Sequence, residues 1–257
     1  MQALRDKLYV PIYAGKKNSV PSVKISIIGA GPVGMATAFS LLMKGIPTEL
    51  VIIDLNVEKV DAEVSDLQNA RQFLPKVSIY GGSNYKLSAN SNIAIICAGV
   101  DRRDNENQLS HVQRNVDALK TVIPHLVENS PKCTIIVLIK PVPIWSSVTC
   151  AGTKLSENFI TKCKGANAWS TGLATSVICE ALLTDSNCVF PISTHAKHEG
   201  KLTGLQGVDK DIFFSLPCIV NTNGVRGIML QQLDDDEKEK LFVSAKKMEE
   251  LLQSIEW

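Results

Sequence analysis

The residues of this chain predict an α/β fold built on a parallel sheet, followed by a smaller α+β part with antiparallel strands. Three observations carry that expectation. Short apolar runs alternate with helix-patterned segments through the first half. Those runs are apolar on both faces, as in strands buried between two layers of helix. From about residue 188 the pattern changes to three strand-like runs joined by Gly- and Asn-bearing turns.

Taken in order, 23–29 (VKISIIG) is the first strand and PVGMATAFSLLMKG the helix after it. The second strand is 49–55 (ELVIIDL), followed by the polar-faced helix VEKVDAEVSDLQNA. Strands at 76–82 (KVSIYGG) and 91–99 (SNIAIICAG) come next, then a polar loop and a helix over 109–127. That helix carries Val112, Val116, Leu119, Ile123 and Leu126 at helical spacing, which predicts a buried stripe. The fifth strand is 133–139 (CTIIVLI). Beyond it, 167–183 reads as a helix, and CVFPISTHA, DIFFSLPCIV and GVRGIMLQQL as antiparallel strands. A last helix aligns Leu241, Ala245, Met248, Leu252 and Ile255. Its acidic opening, DDDEKEK, suits the positive end of a helix dipole and reads as a solvated face rather than an interaction tail.

Composition narrows the function classes. The chain has 257 residues, 45% hydrophobic and 21% charged, with a formal net charge of +1. Near-neutral charge gives no reason to expect nucleic acid or an anionic membrane as partner. No apolar run approaches the ~20 residues that span a bilayer, and the N-terminus does not read as a signal peptide. Seven cysteines, an odd number without a CxxC pair, point to reduced thiols in a cytoplasmic protein and to no metal site.

One motif carries chemistry. Gly29, Gly31 and Gly34 form GAGPVG at a strand-to-helix junction, and Asp54 ends the second strand 20 residues beyond Gly34. The first glycine permits a tight turn and the second lets a pyrophosphate approach the backbone. The third lets helix and strand pack closely. Amides at the helix start are left for phosphates, and Asp54 would accept from the adenosine ribose. A carboxylate there repels a 2′-phosphate, so NAD is expected over NADP.

The chain resembles the L-lactate/malate dehydrogenase family. The likeness runs through ALRDKL, similar to that family's N-terminal arm, MKGIPTELVIIDLNVEKVDAEVSDLQNA, LSANSNIAIICAG and LSHVQRNVDALKTVIPHLVENSPKC. It continues through KGANAWSTGLATSV, FPIST and GLQGVDKDIFFSLPCIVNTNGV to the closing helix. It implies an arm at 1–19, a Rossmann-type NAD-binding domain at 20–163 and a remnant of the substrate domain at 164–257. Ala98 and Gly99 join the implied cofactor residues.

The resemblance also shows what is missing. The family uses a histidine tuned by an aspartate, an arginine that grips the substrate carboxylate, and a second arginine on a mobile loop. It also uses an asparagine after the fifth strand. Here Gln108 stands in the place of the loop arginine, and Lys140 in that of the asparagine. Arg102 falls near the position that separates lactate from malate enzymes. In the family a sixth parallel strand follows, then the aspartate, the gripping arginine and a Gly-Glu-His-Gly-Asp hairpin. This chain passes from SENFITKC straight to KGANAW. The implied sheet therefore lacks its sixth strand, the fifth becomes an edge flanked by Lys132 and Lys140, and the catalytic residues are unknown. His111, His125, His195 and His198 remain, and none has a carboxylate in suitable context, so all four are expected at the surface.

General acid catalysis typically contributes about 10²–10⁴-fold. Loss of the acid and both arginines implies an enzyme by descent whose turnover is lost. Two other readings stand beside it. One is a non-catalytic NAD-binding or interaction module, for which a lactate-dehydrogenase-like domain fused to a ubiquitin-conjugating-enzyme variant is the precedent. The other is a truncated isoform without a separate role. The family's own ligands, NAD(H) and a small 2-hydroxy or 2-keto acid, are the implied partners, with homo-oligomers as a further expectation.

Overall fold

Isoleucines and valines on alternating faces build the central layer. Strands β1 (Lys24–Ile28), β2 (Glu49–Ile53), β3 (Ser78–Gly82), β4 (Ile93–Ile96) and β5 (Thr134–Val137) pair in parallel, in the order β3-β2-β1-β4-β5. This computed structural model describes residues 22–100, 103, 105–139, 160, 163–195, 211–229 and 232–257. Side chains of successive strand residues point to opposite faces. Ile25 and Ile27 enter one apolar cluster with Leu41, Leu50 and Val60, while Ile28 enters another with Ala94, Ile96 and Leu126. The sheet is thus covered on both sides, as its unbroken apolar runs require.

Helices α1 (Pro32–Met43), α2 (Val57–Asn69) and α3 (Gln108–Asn129) connect the strands. Asn56 caps α2 by accepting the Lys59 amide at 3.1 Å, and Asn107 caps α3 through the Ser110 amide at 2.7 Å. The expected stripe on α3 holds in its second half, where Leu119, Ile123 and Leu126 pack in the cluster of Ile28 and Ile96. Toward the helix start Val112 and Val116 are only half-buried, and His111 and Asn115 turn inward instead to bond the loop after β4.

The second part opens with α4 (Ala168–Thr184), which packs directly on α1. Gly172 lies so close to α1 that a Cβ there would stand 2.6 Å from the Ala36 carbonyl carbon. Lys44 and Glu180 form an ion pair at the far end of the same helix pair. Cys179, Ala181 and Leu182 of α4 enter the same apolar cluster as β1 and β2. Strands β6 (Cys188–His195), β7 (Phe213–Asn221) and β8 (Gly224–Ile228) form an antiparallel sheet in that order. Gly224, at φ +84°, closes the tight β7–β8 hairpin, and β8 ends well before residue 233, where the apolar run had suggested. Phe214 and Ile212 pack on Leu241, Ala245 and Met248 of α5 (Asp235–Gln253). Asp234 and Glu237 form a reciprocal capping box at the start of α5, which accounts for part of its acidic opening.

Among the described residues β5 is an edge strand, with Thr134 and Val137 exposed. Residues 140–159 and the expected N-terminal arm lie outside the described residues.

Gly172→Val should lower the melting temperature, because its branched side chain must push α4 away from α1; overpacking of this kind costs about 1–3 kcal/mol. A thermal melt equal to that of the unaltered chain would contradict the close approach.

Candidate functional site

In the order β3-β2-β1-β4-β5 the chain reverses direction across the sheet between β1 and β4, and their carboxyl ends leave a crevice. Gly29 follows β1 at φ +109°, a conformation open to glycine, and its amide donates to the Ile53 carbonyl at 2.7 Å. A Cβ on Gly29 would stand 2.7 Å from the Ala98 amide nitrogen, so the loop crosses the end of β4 in near contact with its backbone. A Cβ on Gly34 would collide with the Gly29 carbonyl. These two glycines shape the turn from inside.

Gly31 differs. A Cβ there would meet nothing within 4 Å, so its position faces open space over the loop. Gly31 is also the N-cap of α1, with no side chain capping the helix and no acid in its first turn. Pro32 has no amide hydrogen, and the Val33 and Gly34 amides precede Met35, whose amide is the first to donate within the helix, to the Gly31 carbonyl at 2.9 Å. Donors at the positive end of a helix beside an open cradle fit a diphosphate.

Asp54 follows β2 and turns toward the same loop. Its Oδ2 accepts the Ala30 amide at 2.7 Å, and its Oδ1 accepts the Asn56 amide at 3.0 Å. A carboxylate has about four acceptor sites, so two bonds leave capacity for ribose hydroxyls. The structure therefore brings Gly29, Gly31, Gly34, Asp54, Ala98 and Gly99 to one end of the sheet.

Tyr85 was not singled out from the sequence. Its half-buried ring packs in the cluster that holds Ile28 and Ala98. Burial raises the pKa of its hydroxyl, and the negative charge of Asp54 adds to the rise. Nothing local marks this residue; β3 lies beside β2 in space and delivers it to the site.

Of the expected substrate residues, Gln108 is the exposed first residue of α3, while Arg102 and Lys140 lie outside the described residues. The loop between β4 and α3 is tied down at both ends. Asn115 Oδ1 accepts the Val100 amide at 2.9 Å, and His111 Nε2 lies 2.7 Å from the Val100 carbonyl. Arg114 donates Nε and Nη2 to the two oxygens of Glu106, each at 2.7 Å, and the Arg103 amide donates to Glu106 as well.

Two expectations about histidine are corrected. His111 is buried, not at the surface, because its ring holds the main chain of Val100. His195 does have a carboxylate partner: its Nε2 lies 2.6 Å from Asp211 Oδ1. That pair joins the facing ends of β6 and β7, which the separation of 16 residues in sequence concealed. His125 is exposed as expected, and His198 lies outside the described residues. The buried thiols of Cys97 and Cys179 are pushed up to about 12 by desolvation. Among the described residues no helix is long and apolar enough to cross a membrane.

Residues 23–161 match the family model of the lactate/malate dehydrogenase NAD binding domain, and 146–256 that of the lactate/malate dehydrogenase alpha/beta C-terminal domain. The L-lactate dehydrogenase B chains of Gallus gallus, Rattus norvegicus and Homo sapiens are each 30% identical to this chain. Each alignment covers 95% of this chain and 96% of the relative. Each also runs over 328 positions, against 257 residues here, so at least 71 positions (the difference) face no residue of this chain.

The Glu106–Arg114 pair makes stability depend on acid. Arginine hydrogen bonds hold the Glu106 carboxyl at about 2, below the ordinary 4.5. A depressed carboxyl pKa adds stability that is complete above 4.5 and declines as pH falls from there toward 2. Urea midpoints at pH 7, 4 and 3 should fall less steeply for Glu106→Gln than for the unaltered chain; parallel slopes would argue against the pair.

Proposed function

Because the chain belongs to the lactate/malate dehydrogenase family, we propose that it binds NAD(H) mainly through the adenosine diphosphate half and turns over neither lactate nor malate at a measurable rate. One observation carries this reading. The glycine loop, Asp54 and the open space at Gly31 form a complete cradle, while the alignments to intact relatives leave at least 71 positions unfilled.

Each retained residue has a defined task. Gly31 gives the diphosphate access to the main chain, and the Val33 and Gly34 amides donate to its oxygens. Asp54 accepts from the adenosine ribose, and its charge disfavours a 2′-phosphate. Ala98 and Gly99 continue the crevice toward the nicotinamide end. When bound, NAD(H) supplies or accepts the hydride that interconverts a 2-hydroxy acid and a 2-keto acid.

The resemblance leaves the protein side of that reaction without its proton donor. Gln108 can donate a hydrogen bond to a substrate carbonyl but brings no positive charge to polarise it. Lys140, which stands in the sequence place of the family's asparagine, would weaken NAD⁺ relative to NADH by charge repulsion. Arg102 is the residue left to meet a substrate carboxylate. The His195–Asp211 pair does not restore the acid, since it joins the facing ends of β6 and β7, away from the crevice between β1 and β4.

On this reading the chain is a non-catalytic NAD-binding module divided at about residue 163, and its odd number of cysteines without a CxxC pair fits the cytoplasm. Self-association follows the family's habit, with β5 an edge strand among the described residues.

Three measurements check this. Lactate with NAD⁺, or oxaloacetate with NADH, should give no turnover above background; a turnover number of the ordinary enzyme scale would overturn the reading. ADP-ribose and NAD⁺ should bind about equally in titration. NADH at ~100 times its dissociation constant should stabilise the chain by ~2.7 kcal/mol. No thermal shift with any of these ligands would leave a truncated isoform without a nucleotide role.

A further inference from the structure

Tyr85 is itself held from behind. The imidazole of His125 stacks on its ring, with centroids 4.9 Å apart and planes 22° from parallel. The two residues come from different elements. Tyr85 opens the short 3-10 turn Tyr85–Ser88 after β3, and His125 lies near the C-terminal end of α3. Among the described residues the ring nitrogens of His125 have no hydrogen-bond partner, and the residue's main-chain carbonyl accepts from Asn129 Nδ2 at 2.7 Å. The imidazole is exposed and belongs to no apolar cluster, so the stack is its one described ring contact.

Ile53 pairs with Gly82, so Asp54 after β2 and the turn opened by Tyr85 after β3 leave adjacent strand ends. A base attached directly to the ribose that Asp54 would hold lies on that side of the crevice. Leu55, the residue after Asp54, is an apolar side chain left 85% exposed. A flat apolar ligand would cover it. We infer that His125 is a positioning residue for the base end of the nucleotide: its stack fixes the Tyr85 ring as one wall of a slot for a purine. This rests on the dinucleotide reading above and adds a residue to it. The physical gain is pre-organisation, since a ring already fixed need not be ordered when the ligand arrives.

The test uses the full chain with AMP and ADP-ribose as probes, in titration calorimetry. Aromatic pairs contribute about 0.5–1.5 kcal/mol beyond burial. His125→Ser should therefore weaken both probes about 3- to 10-fold. His125→Phe, which keeps a flat ring, should bind both within about 2-fold of the unaltered chain. Because the imidazole is exposed, the melting temperatures of both variants should stay close to the original. AMP affinity in His125→Ser equal to that of the unaltered chain would overturn the inference, as would His125→Phe binding as weakly as His125→Ser. An unaltered chain that binds neither probe would remove the dinucleotide reading and this inference with it. Equal binding by all three proteins would remove only the role of His125.

Discussion

Helix α1 is confined by backbone on two sides, and much of the molecule depends on that confinement. At its N-terminus Gly34 lies against the Gly29 carbonyl, and on its flank Gly172 of α4 lies against Ala36. Neither contact has room for a methyl group. The first sets how the helix start is aimed across the crevice between β1 and β4. The second fixes the C-terminal part to the same helix. The apolar cluster under α1 therefore continues from Ile25 and Leu50 into Cys179 and Leu182 without a break. The nucleotide cradle and the second sheet share one core, and loosening α4 should be felt at the glycine loop.

Polar side chains extend this arrangement to the other side of the sheet. Helix α3 turns His111 and Asn115 inward to hold both the amide and the carbonyl of Val100, one residue beyond Gly99. Arg114 then fixes the rest of the segment through Glu106. The same helix reaches the C-terminal residues, where Gln113 bonds both the amide and the carbonyl of Glu256. Buried polar groups need partners, and for His111 and Asn115 that partner is the main chain of Val100. That shows why a strand-end loop and a chain terminus converge on one helix.

The chemistry divides along the same lines. Binding an adenosine diphosphate group needs amides at a helix start, one carboxylate and space, all supplied by β1, β2 and α1. Protonating a ketone needs a titratable group aimed at a substrate, held by residues distant in sequence. Alignments to the lactate dehydrogenase B chains leave at least 71 positions without a counterpart here, and on the proposed reading the second capacity is lost while the first is kept.

How much could be read from the residues alone follows from range. The order of strands and helices, the glycine turn with Asp54 and the acidic start of α5 are local patterns, and each was legible because period, turn chemistry and capping act within a few residues. The resemblance to the family was legible for the same reason, since its motifs are short runs of residues, and both family models match. The inward turn of His111 and Asn115, the pairing of His195 with Asp211 and the stacking of Tyr85 on His125 were not legible. Each joins segments that only the pairing of strands and packing of helices brings within hydrogen-bonding or stacking distance. Sequence determined which elements form and which family the chain belongs to; tertiary structure decided which side chains meet, because contacts between distant segments depend on the whole sheet being assembled.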